Sequence, residues 1–279
     1  MTSYLLRAAE EHFGIKADPD DVKKLHGFIH DAYGRVDPET IDKVFSSGEA
    51  AGFLTVNETY FFREPAHFSF LLDLLPSFEK TGISVCCAAV ASGCEAYSIA
   101  MLIEAYNRGA ASPVPYRIDA FDVNPKAIET ASKGIYSART LRDDGSCFRY
   151  MADPYLKKLE NGYRGSSSFD LGSQYQVDPS LKKNIRFFVH NVMNELPSKE
   201  HDIIFFRNAF IYFLPRCRER VLSNLAAALK EGGILILGVA ETAGARHAGI
   251  EGKNRNDVFY FQKPGNADKI GAYQEPIRK

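Results

Sequence analysis

The stretch VCCAAVASGCEAYSIAM, residues 85–101, decides how this chain folds. A short apolar run without polar alternation gives way to the small residues Ala88, Ala89, Ala91, Ser92 and Gly93. A helical pattern, EAYSIAMLIEAYNRG, follows. A strand that is apolar on both faces belongs inside a parallel sheet covered on both sides. Small residues where it ends let a ligand approach the backbone, at the carboxyl end of the strand where open α/β sheets bind their ligands. Glu95 sits at the helix start, where its charge complements the helix dipole and equally suits a ligand's ammonium group. Neither GxGxxG nor GxxxxGK[ST] is present, so a dinucleotide pyrophosphate is poorly served and no phosphate loop exists. Taken alone, the same small residues also fit a helix packed tightly on a sheet.

Working downstream, YRIDAFD ends in Asp122 and leads into the helical NPKAIETASKG. NIRFFVHN, DIIFFRN, the helix RCRERVLSNLAAALKEGG, the strand ILILGVA and a closing strand NRNDVFYFQK continue the alternation. Strands alternating with helices of this length predict an α/β fold with a mostly parallel sheet. A carboxylate at the end of the second strand can accept both ribose hydroxyls of an adenosine. The competing role for Asp122 is an Asx-turn or N-cap ahead of Pro125. Without a pyrophosphate cradle, the loop and Asp122 together favour an adenosine carrying an amino-acid tail over NAD. The alternation fails between about 137 and 184, where DDGSCFRY and NGYRGSSSFDLGSQYQVD predict a small antiparallel insertion or a long loop.

Upstream, residues 1–80 read as helical. Asp18 followed by Pro19, and Asp37 followed by Pro38, are helix starts. Within NETYFFREPAHF, residues 57–68, Phe61, Phe62 and Phe68 are core candidates. Arg63 is either a surface partner of Glu64 or Glu58, worth little, or a guanidinium placed to hold a carboxylate through two hydrogen bonds.

Composition narrows the function classes. The chain has 279 residues, is 45% hydrophobic and 25% charged, and carries a formal net charge of -1, which gives no global attraction to nucleic acid or anionic membrane. Cys86, Cys87, Cys94, Cys147 and Cys217 form no CxxC pair, which disfavours zinc or disulfides and predicts reduced thiols. The amino terminus reads as an amphipathic helix rather than a signal peptide. No apolar run approaches the ~20 residues needed to cross a bilayer. A soluble cytoplasmic protein with a frayed polar tail from Pro264 is expected.

NETYFFRE resembles the N-x-T-x-F-F-R signature of the CheR family, the chemoreceptor methyltransferases. CCAAVASGCEAYSIAM resembles that family's A-x-S-x-G-E-E-P-Y-S loop, and AFDVNPKAIETASKGIY its second strand and following helix. FVHNV resembles its Asn-containing strand, and DIIFFRNAFIYF is similar to its F-C-R-N-V-x-I-Y-F segment. The motifs occur in the family's order, and the likeness covers roughly residues 1–262.

The resemblance implies a class I S-adenosylmethionine-dependent methyltransferase fold, Rossmann-like with a mostly parallel sheet. Residues 1–75 would form an N-terminal helical subdomain and linker. Residues 76–279 would form the methyltransferase domain, with the antiparallel β-subdomain inserted at about 137–184. The cofactor would be S-adenosylmethionine, leaving S-adenosylhomocysteine as product. It would be held by Asn57, Thr59, Arg63, Ala89, Glu95 (on the methionyl amine), Asp122 (on the ribose), Asn191 and Val192 near the adenine, Arg207 and Asn208. Arg63 and Tyr212 would serve catalysis. The implied reaction is attack of a receptor glutamate on the sulfonium methyl. No general base is needed, because a glutamate with pKa ~4.3 is already ionised at neutral pH. The partner would be the cytoplasmic helical region of a chemoreceptor, with Lys16, Lys23, Lys24 and Arg35 either docking it or forming a solvated face. In some relatives the inserted subdomain also binds a receptor tail peptide by strand addition. Two departures stand out: the family's Gly-Glu-Glu-Pro reads Gly93-Cys94-Glu95-Ala96, and its G-H-S-E reads GVAE, ending at Glu241. They leave open a non-catalytic cofactor-binding scaffold, or an enzyme acting on another carboxylate.

Overall fold

The two Asp-Pro pairs begin helices as their chemistry requires. In the computed structural model, which describes residues 1–142, 148–159, 173–247 and 249–265, the chain opens with α1 (Thr2–Phe13), α2 (Pro19–Tyr33), α3 (Pro38–Ser46) and the single turn α4 (Ala51–Leu54). Asp18 accepts the Asp20 amide and Asp37 the Thr40 amide, each at 2.8 Å, satisfying donors that the first helical turn leaves free. Lys23 and Lys24 pair with Asp20 and Asp21 at 2.8 Å, and Arg35 with Asp37 at 3.3 Å, all on exposed surface.

After α5 (Pro65–Leu74) come β1 (Ile83–Ala88), α6 (Cys94–Gly109), β2 (Tyr116–Asp122) and α7 (Pro125–Lys133). Then follow β3 (Ile135–Ser137), α8 (Phe148–Ala152), β4 (Leu156–Leu159), β5 (Gln174–Val177), β6 (Ile185–Val189) and β7 (His201–Phe206). The described chain closes with α9 (Pro215–Ala228), β8 (Leu229–Leu237), β9 (Glu251–Arg255) and β10 (Val258–Gln262). The main sheet has seven strands in the order β6-β2-β1-β7-β8-β10-β9. Its strands are parallel from β6 through β8, while β10 runs antiparallel to β8 and β9 antiparallel to β10. Because β2 lies on one side of β1 and β7 on the other, the crevice at their carboxyl ends is the topological switch point, where such sheets bind ligands.

NRNDVFYFQK reads as one strand, but the structure makes its front half part of a hairpin. Asn256 and Asp257 both adopt left-handed backbone, φ 51 and 61, as a two-residue type I′ turn between antiparallel strands demands. The interruption of the alternation near residues 137–184 corresponds to a second, three-stranded antiparallel sheet, β3-β5-β4. The glycine- and serine-rich stretch at 160–172, residues 143–147 with Cys147, and the tail at 266–279 lie outside the described residues. Tyr136 of the small sheet donates its hydroxyl to the Ser92 carbonyl at 2.6 Å, tying that sheet to the loop after β1.

Side chains alternate across the central strands and feed two cores. On one face Cys86, Ala88, Ile204, Phe206, Leu235 and Leu237 pack with α1, α2, α3 and α9. On the other face Val85, Cys87, Ile203, Phe205, Ile234 and Ile236 pack with α5, α6 and the small sheet. Cys86, Cys87, Cys94 and Cys217 are buried thiols without disulfide partners among the described residues. The amino-terminal helices thus share a core with the sheet, which places their ends over its carboxyl edge.

Gly93 joins the loop to α6 at φ 91, and a Cβ there would stand 2.7 Å from Ala131 Cβ and 3.2 Å from Phe187 Cε1. Gly93→Ala is expected to lower the unfolding free energy by about 2 kcal/mol in urea titration, through both strain and overpacking. Gly27→Ala, inside α2 with nothing within 4 Å of the new methyl, is expected to raise it by up to about 1 kcal/mol.

Candidate functional site

The loop after β1 is held in an unfavourable shape. Ala89, Ala91 and Gly93 have φ of 56, 50 and 91, and left-handed backbone costs an L-residue about 1–2 kcal/mol. Asp122 offsets part of that cost: its Oδ2 accepts the Ala91 amide at 2.8 Å and its Oδ1 the Asn124 amide at 2.9 Å. The second contact is an Asx-turn, while Asn124 itself caps α7 by accepting the Lys126 amide at 3.0 Å. Burial pushes the Asp122 carboxyl upward against the pull of these backbone donors. Each carboxylate oxygen keeps a second acceptor position, and Asp122 lines the crevice beside the loop.

Across the crevice, just past β7, Arg207 is buried between two carboxylates. Its Nη1 donates to Glu95 Oε2 at 2.9 Å, and its Nη2 donates to Glu64 Oε2 at 3.1 Å and to the Arg63 carbonyl. Its guanidinium lies 5.6 Å from the centre of the Phe68 ring. Glu64 Oε1 accepts from Asn208 Nδ2 at 3.1 Å, and His67 Nδ1 stands 3.2 Å from Glu64 Oε2. The two carboxylates respond in opposite directions. Burial raises Glu95, and Arg207 only partly reverses this. Burial also acts on Glu64, but His67, Arg207 and the Asn208 amide outweigh it and hold its pKa at about 2. Burial pushes His67 below the ordinary histidine value, so its ring is neutral at pH 7.

The segment after Arg207 hangs on Glu241. That buried carboxylate accepts the amides of Asn208 (2.7 Å), Gly238 (2.8 Å) and Ile211 (3.1 Å). It supports Asn208 at φ 58 and the short turn Phe210–Tyr212, which brings Tyr212 to the mouth, 42% exposed as a residue.

Every residue that the sequence nominates for the site lines one cleft of about 1020 Å³, counted out to its open mouth. Asn57, Thr59 and Arg63 form one wall, Ala89, Glu95 and Asp122 the second, and Asn191, Val192, Arg207, Asn208 and Tyr212 the rest. Their polar groups differ in availability. Asn191 donates to the His12 carbonyl and accepts the Met193 amide at 3.0 Å, so its amide ties α1 to the end of β6. Val192 is buried, and its carbonyl accepts from Asn224 Nδ2 at 2.9 Å. Asn57 Nδ2 donates to the Thr55 carbonyl at 3.2 Å. Arg63 forms neither ion pair anticipated for it. Its Nη1 donates to the Glu58 carbonyl at 3.1 Å, while Glu58 pairs with Arg142 and Glu64 with Arg207. Among the described residues no carboxylate pairs with Arg63.

The departures at Cys94 and Ala96 fall outside the cleft. Both side chains are fully buried, and burial pushes the Cys94 thiol up to about 12. The sequence did not nominate Glu64, His67, Phe13 or Ile15 for the site, nor assign Glu241 a role. Glu64 was visible as the last residue of NETYFFRE, but its partners lie at Arg207 and Asn208, far along the chain.

A parallel sheet that ends in an antiparallel hairpin, with Asp122 after its second strand and a small-residue loop after its first, defines a class I S-adenosylmethionine-dependent methyltransferase fold. Residues 57–253 match the family model described as CheR methyltransferase, SAM binding domain, and the chain belongs to that family. It is 31% identical over 199 residues to the chemotaxis protein methyltransferase of Borreliella burgdorferi, covering 68% of this chain and 65% of that one. It is 32% identical over 199 residues to the chemotaxis protein methyltransferase of Vibrio parahaemolyticus, covering 69% of this chain and 67% of that one. An uncharacterized 104.1 kDa protein of Rhodobacter capsulatus is 30% identical over 242 residues, covering 84% of this chain but only 22% of the relative.

Glu241→Ala would strip an acceptor from three amides, one buried and two part-buried, and leave a cavity, at an expected cost of about 3 kcal/mol in chemical denaturation. An unchanged midpoint would mean that water replaces the carboxylate.

Proposed function

We propose that this chain is a protein-glutamate O-methyltransferase that uses S-adenosylmethionine to esterify glutamate side chains of bacterial chemoreceptors in the cytoplasm, for sensory adaptation. The observation that carries this reading is that one cleft holds both the Glu95 carboxylate, which pairs with Arg207, and the Arg63 guanidinium, which no carboxylate among the described residues neutralises. The residues present fit an adenosine with an amino-acid tail. Asp122 has acceptor positions for the ribose, Glu95 has a charge for the ammonium group, and Ala89 and Ala91 leave room where the loop meets a ligand. When bound, the cofactor supplies a methyl group on a positively charged sulfur.

The chain's own residues then have three tasks. Arg63 orients the incoming carboxylate, and its grip must stay moderate, because binding that is lost at the transition state raises the barrier. Tyr212, half-exposed at the mouth, offers a hydroxyl to the same carboxylate. The apolar wall of Phe13, Ile15, Phe121 and Phe213 keeps water from the reacting groups. No proton need be removed from a glutamate at pH 7. Residues 1–75 serve as a helical subdomain that roofs the cleft, and residues 76–279 form the methyltransferase domain. The small sheet is a candidate surface for a receptor tail.

Calorimetric titration of S-adenosylhomocysteine into the folded protein is expected to give saturable one-to-one binding. Its absence would turn the reading toward a scaffold that holds no cofactor. Arg63→Ala is expected to retain most of that affinity while methyl transfer to receptor fragments falls about a hundredfold or more. Unchanged transfer would remove Arg63 from the mechanism.

A pH dependence also follows. Burial raises the Glu95 pKa above the ordinary glutamate value, with Arg207 and the Cys87 thiol only partly reversing the rise and Glu64 adding to it. An ammonium group favours the ionised form, so affinity is fully present above that raised value and falls as the pH drops through it. Calorimetry across acid pH should therefore show the loss starting earlier than for an ordinary glutamate, and Glu95→Gln should abolish this dependence.

A further inference from the structure

Glu64 does not line the cleft. It takes the Nε and Nη2 edge of Arg207 while Glu95 takes Nη1, and nothing assigned to the site so far gives it a role toward a ligand. Its position is nonetheless over-determined. The residue holds φ 58 at the junction with α5, and its carboxylate receives Arg207 at 3.1 Å and Asn208 at 3.1 Å. The Arg207 side chain is 2% exposed, that of Glu95 13% and that of Glu64 22%, so the charges meet where water screens them poorly.

The sign of the charge at the cleft wall depends on this arrangement. With Glu95 and Arg207 alone, the wall would carry a neutral pair, and a cation arriving at Glu95 would also meet the guanidinium. Glu64 engages Arg207 along its Nε and Nη2 edge. Two carboxylates then share one guanidinium, and the neighbouring His67 ring, neutral at pH 7, adds no positive charge. With both carboxylates ionised the cluster keeps one surplus negative charge, and Glu95 is its only carboxylate on the cleft surface. Arg63 is engaged with the Glu58 carbonyl and the Tyr60 ring and joins none of the cluster's ion pairs.

We propose that Glu64 is a positioning residue that selects ligands bearing an ammonium group: by neutralising Arg207, it leaves the Glu95 charge free for the amine of an amino-acid tail. This rests on the cofactor reading above and adds to it a source of discrimination between nucleosides with and without that amine. Like any charge acting through a neighbour, Glu64 contributes to the preference for one ligand over another more than to the affinity for both.

The test compares S-adenosylhomocysteine with its desamino analogue, which keeps the nucleoside, the sulfur and the carboxylate but lacks the ammonium group. Both are titrated calorimetrically into the full chain and into Glu64→Gln, Glu64→Ala and Glu64→Asp. The expected result is that the two neutral variants lose about tenfold of the wild-type preference for S-adenosylhomocysteine, with affinity for the desamino analogue little changed. Glu64→Asp, which restores the charge, should recover most of the preference. The two neutral replacements differ in shape, so a folding defect in one leaves the comparison to the other. Equal weakening of both ligands in the neutral variants, or an unaltered preference, would overturn the proposal and leave Glu64 a purely structural partner of Arg207. Failure of the wild-type chain to bind either ligand would instead overturn the cofactor reading on which it rests.

Discussion

The site is organised around one buried guanidinium. Arg207 joins the end of β7 to the segment before α5 and to the first turn of α6, so three stretches of chain meet at one planar group with five donors. Such a cluster is a poor source of net stability, because taking the charges out of water offsets much of their attraction. Its value lies in geometry. Leaving any one member unpaired in a dry setting is strongly unfavourable, so the partners have few alternative arrangements. The Arg63 carbonyl is among those partners, which places the neighbouring cleft-lining side chain through a backbone contact to a residue remote in sequence.

Backbone strain gathers around the same place. Phe62, Glu64, Ala89, Ala91 and Asn208 all have positive φ, and each sits within a few residues of a side chain that lines the cleft. Three of these distortions have a specific backbone restraint. Ser98 Oγ accepts the Phe62 amide at 2.9 Å, Asp122 holds Ala91, and Glu241 holds Asn208. These restraints come from residues whose hydrogen-bonding groups are already committed to the backbone. Asp122 and Asn191 therefore serve as much to hold the cleft's shape as to offer groups to a ligand.

Much of this could be read from the sequence, for identifiable reasons. The Asp-Pro helix starts are local chemistry, and the central strands announce themselves by apolar runs of fixed length. The nominated site residues gather because the order of strands in this kind of sheet brings the ends of β1, β2, β6 and β7 together. What escaped was non-local or too short to carry a pattern. The hairpin at Asn256-Asp257 hides in a polar stretch, since EGKNR has no apolar alternation to mark β9. The role of Glu64 depends on Arg207, 143 positions away, and that of Glu241 on amides at 208, 211 and 238. No periodicity encodes such contacts. The departing residues Cys94 and Ala96, which in sequence raised doubt about the loop, prove to face the core, while Glu95 between them lines the cleft.

The roof of the cleft comes from the far end of the chain. The Leu214 amide donates to the Gly14 carbonyl at 2.8 Å, Ile15 bridges to Phe213, and Asn191 holds the His12 carbonyl. These contacts join residues roughly two hundred positions apart. During synthesis on the ribosome, the amino-terminal helices can pack on one another, but the contacts that join residues 12–15 to residues 191 and 213–214 form only after those later residues have emerged.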